Sequence, residues 1–170
     1  MKADLQFDFL VDRDKSTLTI VREFAAKRQL VWECHTKSEL LDRWFAPTPL
    51  MTKTKSMEFR DGGHWHYAMV DPEGQEYWGR LDYLTIRPLD GYAALDGFSD
   101  ETGALNPDLP RSRWDVEFTD AGPHCAHCLV RTVVSYASAQ DLETVIGMGM
   151  KEGLTATLDR LDELLLTLNG

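Results

Sequence analysis

The chain has 170 residues, with 18 Lys and Arg against 28 Asp and Glu, a formal net charge of −10. That surplus of acid argues against a phosphate backbone or an anionic membrane surface, so no nucleic acid and no membrane is expected as partner. With 43% hydrophobic residues, three cysteines, no apolar run of about eighteen residues and no basic-then-apolar leader after Met1-Lys2, residues 1–170 read as one cytoplasmic domain in a reducing compartment.

Phe7, Phe9 and Val11 alternate along a first strand, and Asp12-Arg13-Asp14-Lys15 makes a polar turn. Leu18, Ile20 and Phe24 continue a second strand, interrupted by Arg22. The period then changes. Lys27 to His35 and Glu39 to Phe45 read as two short helices, with Thr36 and Glu39 a candidate capping box between them. Pro47 and Pro49 end that segment, since proline removes a donor and restricts the residue before it.

Strands return from Met51. Thr52 to Phe59 is one, and Asp61-Gly62-Gly63 is a turn or bulge. Trp65, Tyr67 and Met69 then alternate with His64, His66 and Ala68, and Asp71-Pro72-Glu73-Gly74 has the form of a type I turn. Gln75 to Arg87 is the return strand, Asp90-Gly91 a tight turn, and Tyr92 to Phe98 a further strand. Ser99 to Arg111, with Gly103, Pro107 and Pro110, is a long surface loop, of a length often functional or mobile. Trp114, Val116 and Phe118 alternate, Asp120-Ala121-Gly122-Pro123 turns, and Cys128 to Tyr136 returns.

One long helix closes the chain, from Ala139 to Leu168. Leu154, Leu158, Leu161, Leu165 and Leu168 place an apolar stripe on it, and Ser138 with Asp141 supplies an N-cap. Such a helix would be roughly 45 Å long and needs a broad concave surface to lie against. Gly147, Gly149 and Gly153 within it cost about 1 kcal/mol each relative to alanine. They therefore point to a close approach, a kink or an opening near Met148 and Met150. The class is α+β: a meandering antiparallel sheet, two short helices after the first strands, and one closing helix.

Arg22-Glu23-Phe24-Ala25-Ala26, Val31-Trp32-Glu33-Cys34 and Leu40 to Pro47 resemble the opening of START-like (Bet v 1-like, helix-grip, SRPBCC) domains. The branch they resemble most is that of the activators of heat-shock protein ATPase. Gly62-Gly63, the Asp71 to Gly74 turn and Gly153 to Leu161 follow in the same order, so the resemblance runs from about Thr17 to Leu168. It implies a curved antiparallel sheet gripping the C-terminal helix, with a cavity between them closed at one end by the short helices. Two features depart from it: there is no proline near Lys27, and Leu154 stands where an aromatic is frequent.

The expected function is binding of a small hydrophobic or amphipathic molecule in that cavity, by a binding protein more than an enzyme. Its candidate lining is Trp44, Trp65, Tyr67, Met69, Trp78, Tyr83 and Trp114 from the sheet and short helices, with Ile146, Met150 and Leu154 from the long helix. The phenols of Tyr67 and Tyr83 are its expected polar groups. Resemblance also admits a cyclase- or aromatase-like enzyme using Arg80, Tyr67 or His66, which requires an inward-facing ionisable residue. It admits, third, a stress-response domain that touches a chaperone ATPase. A homodimer is compatible with the exposed aromatics and Met148. No catalytic residue, cofactor or metal is expected. His124 to Cys128 offers only half of a zinc site and reads as a hairpin tip, and His64 and His66 lack a third ligand. No nucleophile elbow, Walker loop or dinucleotide fingerprint is present. Asp159, Asp162 and Glu163, with Arg160, read as a solvated helix face.

Overall fold

The computed structural model describes residues 5–169. Eight strands form one antiparallel sheet: β1 (Phe7–Asp12), β2 (Thr17–Phe24), β3 (Met51–Glu58), β4 (His64–Val70), β5 (Glu76–Arg87), β6 (Gly91–Phe98), β7 (Ser112–Ala121) and β8 (His127–Tyr136). Their order is β1-β2-β8-β7-β6-β5-β4-β3, so the last strand returns to pair with the second, Leu18 opposite Val134 and Phe24 opposite Cys128. Helices α1 (Arg28–Thr36) and α2 (Ser38–Trp44) leave β2 and cross to β3 at the far edge of the sheet. Helices α3 (Ala139–Gly147) and α4 (Met150–Asn169) follow β8. This is the α+β helix-grip arrangement. No helix among the described residues is long and apolar enough to cross a membrane.

The C-terminal segment is two helices where one was expected. Ser138 caps α3 as its sequence predicts, its hydroxyl accepting the Asp141 amide at 3.1 Å. The helix then stops because Gly149 takes a left-handed backbone, φ +87°, a conformation glycine adopts without steric cost. α4 restarts at Met150 and buries Thr157, Leu161, Leu164 and Leu165. Leu168 of the expected stripe is 36% exposed and Leu164 takes its place, because an α-helix advances 3.6 residues per turn and the stripe drifts.

The capping box between the short helices does not form. Thr36 Oγ1 donates backward to the Trp32 carbonyl at 3.0 Å, and Lys37 begins α2 with no side-chain cap. The 99–111 loop is held against the outer face of the sheet. Asp100 accepts the amides of Thr102 and Ala104 at 2.8 and 3.1 Å, and Arg80 reaches the Gly103 carbonyl at 3.1 Å. Those bonds hold the Asp100 carboxyl below its ordinary range, the Thr102 hydroxyl contributing most.

Two apolar clusters build the interior. The larger joins α1, α2 and α4 to β4–β8 around Trp32, Phe118 and Tyr92, with Trp32 edge-on to Phe118 at 5.1 Å between ring centres. The smaller packs Leu142 and Val145 of α3 on Leu18, Ile20 and Val134. Trp114 and Leu158, half-buried, touch both clusters.

Candidate ligand-binding cavity

Space remains between the two clusters, under α4. It forms a cavity of about 300 Å³ and an adjoining chamber of about 50 Å³, with His35, Phe45, Tyr92, Trp114, Leu154 and Thr157 shared by both walls. The mouth lies at the break between α3 and α4, where Met148, Gly149 and Pro110 line the wall and Met148 is 53% exposed. Gly149 therefore does two things: it ends α3 and leaves a side-chain-free edge at the entrance.

Strands β4 to β7 contribute alternate residues to the larger cavity, and β8 contributes one. β4 turns Trp65, Tyr67 and Met69 inward, with the Trp65 and Tyr67 rings stacked at 4.1 Å and 23°. Tyr67 lies over Gly79 of β5, where a β-carbon would stand 2.7 Å from the phenol oxygen. Glycine at 79 is what lets that ring lie flat across the neighbouring strand. Leu81 and Tyr83 follow on β5, then Tyr92, Asp96 and Phe98 on β6, Ser112 and Trp114 on β7, and Tyr136 on β8. Tyr136 donates to Met150 Sδ at 3.5 Å, and Trp114 Nε1 donates to Ser112 Oγ at 2.9 Å.

Seven of the ten residues expected at this site line the larger cavity: Trp65, Tyr67, Met69, Tyr83, Trp114, Met150 and Leu154. Trp44 lines only the small chamber and is otherwise core, its indole nitrogen donating to the Cys34 carbonyl at 2.9 Å. Two do not belong. Trp78 is an odd number of residues from Tyr83 on one strand, so it faces outward, beside His66 at 4.8 Å and under Lys55 Nζ at 5.6 Å. Ile146 packs with the smaller apolar cluster under α3 and misses the cavity wall.

Strand parity also shows what the aromatic count concealed. Tyr92, Ala94, Asp96 and Phe98 share one face of β6, so a carboxylate points inward among phenols. Burial pushes the Asp96 carboxyl up to about 7, with the Gly97 amide and Arg111 drawing it partly back. Burial likewise raises the phenols of Tyr67, Tyr83, Tyr92 and Tyr136, which stay protonated. His35, on both walls, donates from Nδ1 to the Val31 carbonyl at 2.8 Å, and burial pushes it down to about 4, a neutral ring.

The remaining candidates fall outside the cavity. His66 is buried but on the outer face, bonded through Nε2 to the Asp100 carbonyl at 3.0 Å, and Arg80 points outward to Asp82 at 2.8 Å. His64 meets Ser56 Oγ at 2.9 Å. In the 124–128 stretch, Cys125 is exposed, Cys128 is buried and raised to about 12 by burial, and His127 pairs with Glu23 at 2.6 Å. Among the described residues no three His, Cys, Asp or Glu side chains stand together as metal ligands. The helix charges are not all a solvated face: Arg160 donates to the carbonyls of Ala46 and Leu50 at 2.7 and 2.6 Å, tying α4 to the loop after α2.

The family described as activator of Hsp90 ATPase homolog 1-like protein matches residues 25–166, most of the chain. This chain belongs to that family. Among solved structures it is similar to protein Ms6760 from Mycobacterium smegmatis, at 32% identity over 95% of this chain and 96% of that one, TM-score 0.84. A protein from Arthrobacter aurescens is 26% identical over 94% of this chain and 91% of its own, TM-score 0.86. CalU16 from Micromonospora echinospora shares the fold alone, at 18% identity over 95% of this chain and 85% of its own, TM-score 0.56. No curated protein matches the sequence. In this chain Leu154 stands on the cavity wall.

Proposed function

We propose that this protein binds a small amphipathic molecule in the cavity between the sheet and α4. The supporting observation is the unfilled space of about 300 Å³, within the size range of small-molecule sites, walled by aromatic rings with a few polar groups among them. A packed core closes such space, because each unfilled volume forfeits dispersion contacts. The cytoplasm is the proposed compartment, in keeping with three cysteines that form no disulfide. Native mass spectrometry of freshly purified protein, set beside its denatured mass, tests the reading: a non-covalent adduct lost on denaturation supports it. Bare protein that also takes up no apolar dye overturns it.

An enzymatic role is the second reading. It requires an inward-facing ionisable group, and Tyr67 and Asp96 meet that condition where Arg80 and His66, turned outward, do not. A proton exchanged with a bound substrate would pass through its carboxyl. Conversion of the native ligand on incubation, lost in Asp96→Asn, would distinguish turnover from storage.

A further inference from the structure

Among the described residues, Asp96 is the one carboxylate or cation on the wall of the larger cavity. It sits between Leu81 on β5 and Ser112 on β7. The titratable groups facing it are phenols: Tyr67 from β4, Tyr83 from β5, Tyr92 from its own strand and Tyr136 from β8. The helices add only His35, which is neutral, beside uncharged residues such as Met150 and Thr157. Each nearby guanidinium has a carboxylate partner of its own, although Arg111 also acts on Asp96 through its charge. Arg111 pairs with Asp82, and Arg22, in the small chamber, pairs with Asp159 at 2.9 Å. Among the described residues no side chain donates a hydrogen bond to the Asp96 carboxylate.

An apolar cavity for an uncharged ligand gains nothing from a buried carboxylate, whose desolvation is costly. Eight aromatic side chains share the wall with it, and aromatic faces present negative charge to whatever lies against them. A carboxylate and such faces act together on one chemistry, a cation with apolar substituents. The surplus of acid on the whole chain also raises the local concentration of cations.

Resting on the reading that this cavity holds a ligand, we infer that the ligand is an organic cation, an amine or quaternary ammonium on a hydrophobic frame, with its positive end on Asp96 among the phenol rings. The apolar frame would extend toward Leu154 and Trp114, under α4.

The test uses the full chain and two probes of one shape, phenyltrimethylammonium and its uncharged isostere tert-butylbenzene, titrated by calorimetry at about pH 5.5 and about pH 8.5. The quaternary cation carries no proton, so any pH dependence belongs to the protein. The cation is expected to bind about tenfold more tightly at the higher pH, with tert-butylbenzene indifferent to pH. Asp96→Asn should abolish that gain while still binding tert-butylbenzene, which also shows that the variant folds. Equal affinity for both probes at the higher pH overturns the inference, as does an unchanged cation affinity in Asp96→Asn, which would assign the effect to overall charge. If tert-butylbenzene alone binds, the cavity reading stands and the cation reading falls. If neither probe binds, both fall.

Discussion

Arg22, on the inward face of β2, is held to Asp159 of α4 at 2.9 Å, with its guanidinium 4.8 Å from the Phe7 ring and 5.6 Å from the Phe24 ring. The Arg22 side chain is 11% exposed and Asp159 60%, so the two partners are not equivalent. Removing Asp159 leaves a buried cation unpaired, whereas removing Arg22 leaves a carboxylate that water can solvate. Asp159→Ala should cost on the order of 1–2 kcal/mol, and Arg22→Met should cost less. Urea denaturation of both variants measures the difference, and the reverse order would show that the ion pair does not anchor α4.

Gly147 and Gly149 should answer oppositely to alanine. Gly147 ends α3 with an ordinary φ and nothing within 4 Å of an added β-carbon, so Gly147→Ala should stabilise by about 0.5–1 kcal/mol. Gly149 has φ +87°, and Gly149→Ala should destabilise by about 1–2 kcal/mol. Thermal midpoints moving in opposite directions would confirm the helix break; a gain at both positions would mean one continuous helix.

His35 makes folding sensitive to mild acid. Its folded-state value of about 4 lies below the ordinary 6.5, so below pH 6.5 the unfolded chain takes a proton that the folded chain refuses. Stability from this group is therefore complete above pH 6.5 and is lost as pH falls toward 4. His35→Phe keeps a ring beside Trp44 and Phe118, each 5.0 Å away, without the titration. Its denaturation midpoint should fall less than that of wild type over this window.

Asp96 acts in the other direction. The folded chain keeps this proton up to about pH 7 while the unfolded chain loses it above 3.8, so stability declines as pH rises from 3.8 to 7. Asp96→Asn should remove that decline and raise the thermal midpoint at about pH 8 by on the order of 5 °C. A midpoint unchanged at both ends of the range would place this carboxyl in contact with bulk water.

Leu154 faces both the cavity and the small chamber. Leu154→Trp should fill part of that space, cutting uptake of tert-butylbenzene at least about tenfold while leaving the fold intact by circular dichroism. Undiminished uptake would move the binding site away from α4.

Local periodicity determined most of the architecture. Alternation in Trp65-Tyr67-Met69 and Trp114-Val116-Phe118, the turn at Asp71 to Gly74 and the Ser138 cap are contacts within a few residues, so the residues alone carry them. The glycines at 147, 149 and 153 marked trouble in the last helix, though not which of them would break it. Parity along β5 could have removed Trp78 from the site, and parity along β6 could have added Asp96. Strands, turns and the family resemblance are thus written in residues close together along the chain. The placing of a carboxylate among phenols from four strands, the neutral ring of His35 and the anchoring of α4 by Arg160 and Asp159 arise in the folded chain alone. Burial, desolvation and pairing arise between residues distant along the chain, Arg22 and Asp159 among them, and no local pattern encodes such distances.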